Sequence, residues 1–121
     1  EYTLEVKPQG FSISFVSTPT SATVGQPVTF TWDINGPPTV VNSTTVLFGL
    51  ESNPGVLGAD VMPEDTKYTN QVPDFIKGTY NIPFRFVGNE KISSAGAYFY
   101  RAHTAIEGKN IWSDEYNLEV K

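Results

Sequence analysis

The stretch PVTFTWDI, Pro27 to Ile34, sets Val28, Phe30, Trp32 and Ile34 on one face and Thr29, Thr31 and Asp33 on the other. Strict period-2 alternation of this kind is the signature of a half-buried β-strand. The same period recurs outward in both directions. Towards the N-terminus, FSISFVS (11–17) aligns Phe11, Ile13 and Phe15. Towards the C-terminus, STTVLFGLE (43–51) directs Val46, Phe48 and Leu50 inward, and TYNIPFRFV (79–87) directs Tyr80, Ile82, Phe84 and Phe86 inward. AYFYRAHTAI (97–106) places Tyr98, Tyr100, Ala102 and Thr104 inward, with Phe99, Arg101 and His103 outward. IWSDEYNLEV (111–120) completes the set, and a short strand near 66–69 brings the number to seven. No helical period lasts beyond about one turn.

Turn residues separate these runs. NGPP (35–38) is expected to end the second strand, because two prolines cannot continue a ladder. EGKN (107–110) reads as a hairpin turn. Pro83 marks its strand as an edge or a bulge, where no backbone donor is needed. Between 52 and 78 lies a long irregular stretch, SNPGVLGADVMPEDTKYTNQVPDFIKG, with three prolines and three glycines. Seven short strands over this length predict an all-β, antiparallel two-sheet sandwich.

Composition limits the partners. The 121 residues form one domain by size, with a core that buries about two-thirds of the unfolded surface. A net charge of −5 and no basic cluster argue against nucleic acid, which requires a basic stripe. No apolar run approaches the ~18 residues of a membrane helix. The absence of cysteine removes disulfides, thiol catalysis and cysteinyl metal sites. Abundant Ser and Thr with few charges point to an extracellular or cell-surface location. With no initiator Met or signal peptide at its start, the sequence reads as a mature chain or an excised fragment.

VTFTWDINGP, with Trp32 on the second strand, resembles the start of a fibronectin type III or related immunoglobulin-like module. AGAYFYRAHTAIEGKNIWSDEYNLEV is similar to the last hairpin of such modules, with Tyr98, Arg101, Gly108, Trp112 and Ser113 in the expected places. The nearer likeness is to immunoglobulin-like repeats of prokaryotic secreted and cell-surface proteins, which carry a similar ending. The resemblance implies a seven-stranded sandwich and an extracellular habitat; it implies no reaction.

No catalytic residue is expected. His103 is the single histidine, and no nucleophile elbow of the G-x-S-x-G kind accompanies it; it reads as a solvated or glycan-facing strand residue. Ca2+ is the one ion whose ligands the long loop could supply, from Glu51, Asp60, Glu64 and Asp65, although the D-x-[DN]-x-[DN]-G order is absent. The chain is thus expected to work without a metal or cofactor. Asn42-Ser43-Thr44 is the one N-glycosylation sequon, and STPTSAT (17–23) is a second candidate for attached glycan, set against an ordinary turn. Tyr68, Phe75, Phe99 and Trp112 are candidates for an aromatic platform that stacks on sugar rings.

The ends of the chain carry a repeat. EYTLEVK (1–7) and EYNLEVK (115–121) match at six of seven positions, differing only at Thr3 and Asn117. Tyr116, Leu118 and Val120 form the apolar face of the last strand, and Tyr2, Leu4 and Val6 form the same face again. One sandwich has one place for this code, so the N-terminal copy is an extra linking strand. It is either the last strand of a preceding near-identical unit in a covalent array, or a strand donated between separate subunits. The remaining possibility, an added edge strand at home, would leave an unmanaged apolar edge. KPQG (7–10) is too short to allow much freedom, so successive units would sit at a nearly fixed angle.

The expected organisation is therefore a linking strand at 1–7, a connector at 8–10 and a sandwich at 11–121. The expected function is a structural repeat or subunit of an extracellular filament or surface array. Its expected partners are head-to-tail copies of itself and covalent glycans, with neither nucleic acid nor membrane insertion. The competing expectation is a carbohydrate- or adhesion-binding module of a secreted multidomain protein.

Overall fold

A computed structural model describes residues 10–121. Tyr2, Leu4 and Val6, with the whole 1–7 heptad and most of its connector, lie outside the described residues. The fold is all-β, with two sheets packed face to face. In chain order the strands are β1 (Ser12–Ser17), β2 (Ser21–Ala22), β3 (Pro27–Val41), β4 (Thr44–Gly49), β5 (Asn70–Gln71), β6 (Tyr80–Lys91), β7 (Gly96–Ile106), β8 (Lys109–Trp112) and β9 (Tyr116–Val120). One sheet has the order β1-β3-β6. The other runs β2-β9-β7-β4-β5, with β8 also on β7. All pairings are antiparallel except β2 with β9, which is parallel. Among the described residues no helix is long and apolar enough to cross a membrane.

The alternation in 27–34 is realised: Val28, Phe30, Trp32 and Ile34 are all buried. They meet Tyr98, Tyr100 and Ala102 of β7 and Leu118 and Val120 of β9 across the interface. Trp32 lies parallel to Phe86 at 5.8 Å and edge-on to Phe75 at 5.9 Å. Its indole N–H donates to Thr44 Oγ1 at 3.0 Å, and Thr44 Oγ1 donates to the His103 carbonyl at 2.8 Å. The largest side chain of the core thus has its one polar atom satisfied, which avoids the cost of an orphaned buried donor.

Several expectations need correction. NGPP does not end its strand, because β3 runs on to Val41. Ile34 pairs with Phe84 and Thr39 with Ile82, so residues 35–38 bulge out opposite Pro83 alone. The prolines therefore sit where no ladder bond is asked of them. The bulge also spoils the alternation of β6: Phe84 is 52% exposed instead of inward, its ring lying 5.0 Å from Phe86. Leu50, also expected inward, lies past the end of β4 and is 59% exposed. The short strand falls at 70–71 rather than 66–69. The final run is broken at 113–115 into β8 and β9, so the described residues hold nine strands where the sequence predicts seven, two of them only two residues long. EGKN is the hairpin turn its composition predicts. Ile106 pairs with Lys109, and Glu107 (φ 53°) and Gly108 (φ 79°) are both left-handed, as a two-residue type I′ turn requires.

Candidate functional site

The outward face of β7 is where sequence and structure part most. Phe99, Arg101 and His103 do point away from the core, but Arg101 and His103 are not solvated: both are buried. The 52–65 segment folds over them and makes a second, polar layer. Arg101 is at its centre, with one N–H of its guanidinium donating to the Ser113 carbonyl (2.9 Å) and others to the carbonyls of Asn53 and Gly55 (both 2.7 Å). Its Nε donates to Tyr68 Oη at 3.0 Å. A planar fork with five donors suits this task, which the single point charge of a lysine would not meet.

Glu115, the first residue of the C-terminal heptad, closes the network. Its carboxylate accepts from the backbone N–H of Asn53 (2.8 Å), the Ser52 hydroxyl and the Tyr68 hydroxyl, and stands 4.0 Å from Arg101 Nε. With Tyr116, Leu118 and Val120 facing the core, strand parity puts Glu115 on an open outer face, whereas its side chain is mostly enclosed. Burial alone would raise its carboxyl. The hydrogen bonds from Ser52, Tyr68 and Asn53, with the Arg101 charge, outweigh burial and hold it below the usual range. Tyr68 is pushed upward, first by burial and then by its bond to Glu115.

The second half of the layer surrounds His103. The imidazole contacts the Trp112 ring with centroids 4.5 Å apart, and its Nε2 lies 2.9 Å from Asn110 Oδ1. Asn110 donates through both its backbone and side-chain N–H to the Ala59 carbonyl, each at 3.0 Å. Trp112 Nε1 donates to the Val61 carbonyl at 2.9 Å. Burial lowers the pKa of His103, against the opposing pull of Asn110 and of the Glu64 charge. Among the described residues, the side chains against the imidazole are those of Asn110 and Trp112.

The remaining candidates are not brought together. Glu51, Asp60, Glu64 and Asp65 are exposed, and among the described residues no three carboxylate or imidazole groups converge on one point. Asp65 accepts from the Met62 N–H at 3.1 Å, which caps its own turn. The aromatic platform is dispersed: Tyr68 is buried in the Arg101 network, Phe75 packs on Trp32, Tyr80 and Phe86, and Trp112 lies on His103. Asn42 is exposed between β3 and β4, and its side-chain amide donates to the Gly78 carbonyl at 3.2 Å. The 17–23 stretch holds the end of β1 and all of β2.

The geometry most specific to this chain is the place occupied by the C-terminal heptad. Leu118 and Val120 are buried, and Tyr116 packs edge-on against Phe15 at 5.5 Å. On one side β9 pairs with β7, from Gly96↔Val120 to Tyr100↔Tyr116. On the other, Glu119 N–H donates to the Thr20 carbonyl (2.9 Å), Lys121 N–H to Ala22 (3.0 Å), and Val24 N–H to Lys121 (3.0 Å). The slot is a strand-shaped site with both edges hydrogen-bonded, two apolar anchors, and a charged cage for one glutamate. What the sequence did not reveal was that cage, because its other members lie 14 to 63 residues away from Glu115 along the chain.

No family model matches the chain, and no curated relative matches it. Among solved structures, the chain is similar to a β-glucosidase from Listeria innocua in complex with glucose, at 13% identity and a TM-score of 0.46, over 93% of this chain and 16% of the other. A β-glucosidase structure from Listeria innocua gives 12% identity and a TM-score of 0.45 over the same shares.

Proposed function

We propose that this chain is an immunoglobulin-like, fibronectin type III-like structural module of an extracellular filament or surface array, joined head-to-tail through the strand E-Y-x-L-E-V-K. The strand order supports the fold assignment: a β1-β3-β6 sheet faces β9-β7-β4, the arrangement of such modules. A tyrosine at the start of β7 adds to it. Tyr98 Oη donates back to the Ser94 carbonyl at 2.9 Å, as the tyrosine corner of these sandwiches does. Asn42 is open to glycan attachment, and a substituted amide would keep one N–H for Gly78.

One observation carries the functional reading: the home place for the heptad code is already filled by residues 115–121. A second copy of the code at 1–7 therefore has its apolar face to bury elsewhere. The competing reading is a carbohydrate- or adhesion-binding module acting through strand faces or the 52–78 loop; a continuous exposed aromatic strip would favour it, and Tyr68, Phe75 and Trp112 pack in separate places. The test is removal of residues 1–7. The shortened chain should unfold at the same temperature as the full one. A fall of more than about 4 °C, roughly 1 kcal/mol for a domain of this size, would mean that the heptad packs at home and would refute the linking role.

A further inference from the structure

We infer that the β9 slot is an exchange site, able to hold either residues 115–121 of its own chain or residues 1–7 of a second copy, with Glu1 entering the Arg101 cage in place of Glu115. This rests on the reading of 1–7 as a linking strand, and it names the receptor for that strand.

The pattern of identity is the first argument. Tyr2, Leu4 and Val6 repeat the apolar side of the strand in the slot, Tyr116, Leu118 and Val120. The heptad also keeps glutamate at its first position, which in the slot is Glu115, the residue just before β9 that Ser52, Tyr68 and Arg101 face. The single difference, Thr3 for Asn117, falls at an exposed position that the slot does not read. Glu5 and Lys7 likewise repeat Glu119 and Lys121, which are exposed, so the copy reproduces the whole strand that the slot holds.

Polarity is the second argument, and it makes the exchange intermolecular. In the slot, the heptad's last residue takes the place of Lys121, whose carbonyl accepts from Val24. Val24 adjoins Gly25, whose N–H donates to the Ile92 carbonyl at the Pro27 end of β3. Gly10 lies at the opposite end, near Pro37. Pro27 to Ile34 alone spans about 23 Å at strand pitch. Lys7 is three residues from Gly10, a reach of at most about 11 Å. A chain's own N-terminal heptad therefore cannot enter its own slot in the direction β9 runs. A neighbour's heptad can, and the contact so formed is heterologous and open-ended.

The test uses the full chain with its own β9 anchors weakened, L118S and V120S, and a reporter pair, E5C and A97C. Ala97 pairs with Glu119 in the slot, so in the exchanged state the thiol introduced at position 5 of one copy lies opposite the thiol introduced at position 97 of the next. Pair spacing there suits a disulfide, and the natural chain has no cysteine to interfere. The expected result is a reducible ladder of covalent oligomers that grows with concentration. Adding L4S and V6S should reduce it at least about tenfold, and E1Q should shorten it where T3A does not. Monomer alone, folded or unfolded, overturns the inference, as does a ladder indifferent to L4S and V6S. If removal of 1–7 leaves the melting temperature unchanged yet no ladder forms, the linking role stands and only the exchange falls.

Discussion

Arg101 does in this molecule what a small hydrophobic cluster does in many others: it fastens a loop to a sheet. Its guanidinium serves three backbone carbonyls and Tyr68 while nearly sealed from water. Replacing it with methionine keeps the bulk and leaves those carbonyls and Tyr68 Oη without their donor and the Glu115 carboxylate without its countercharge. The expected loss is about 3 kcal/mol, within the range for breaking a buried charged pair, measured by denaturant titration. A loss below about 1 kcal/mol would show that the layer is held by other contacts. Acid should find the same layer. Glu115 titrates lower in the folded chain than in the unfolded one, so its contribution is complete above the ordinary carboxylate pKa and fades as pH falls through its lowered value. His103 is also lowered, so the unfolded chain takes up its proton first and stability begins to fall as pH drops through about 6.5. H103Q should flatten the pH dependence near 6 and E115Q the part below it; identical acid profiles for all three chains would refute these assignments. The parity of 97–106 placed Arg101 and His103 on the outer face correctly. What covers that face was not legible, because Asn53, Gly55, Ala59 and Val61 carry no periodic signal of their own.

The elements divide by how local their causes are. β3 and β7 were readable because each alternates over eight or more residues, and the Glu107-Gly108 turn because two left-handed residues have a compositional mark. The bulge at 35–38 depends on what stands opposite, and Pro83 lies far off in sequence. Gly36 shows the constraint: at φ 148°, a Cβ there would overlap the Phe11 ring. G36A is therefore expected to cost about 1–3 kcal/mol. Gly58, whose added Cβ would meet nothing within 4 Å, serves as the comparison, and G58A should leave the melt unchanged. Equal effects of the two would refute the packing account. Leu50 and Phe84 were misplaced for one reason: alternation says nothing about where a strand stops or slips.

At the scale of the whole molecule, the core was legible and the site only half so. Trp32, Phe30, Phe86, Tyr100 and Leu118 meet because every strand with a clean apolar face must bury it, and two sheets are the simplest means. The repeated heptad announced that its strand mattered, but the cage that distinguishes its first glutamate is assembled only by folding. The parallel β2–β9 pair has a mechanical consequence. Gly10 and Lys121 lie at opposite ends of the sandwich, so tension applied between them slides β9 past β2 and loads their hydrogen bonds together. Grasped instead at Gly96 and Lys121, which lie at the same end, β9 would peel from β7 one pair at a time. Single-molecule pulling between 10 and 121 should therefore meet a higher rupture force than pulling between 96 and 121, and equal forces would show that this strand does not bear the load. A sandwich wired in this way is weak to a tug on its corner and strong along its length.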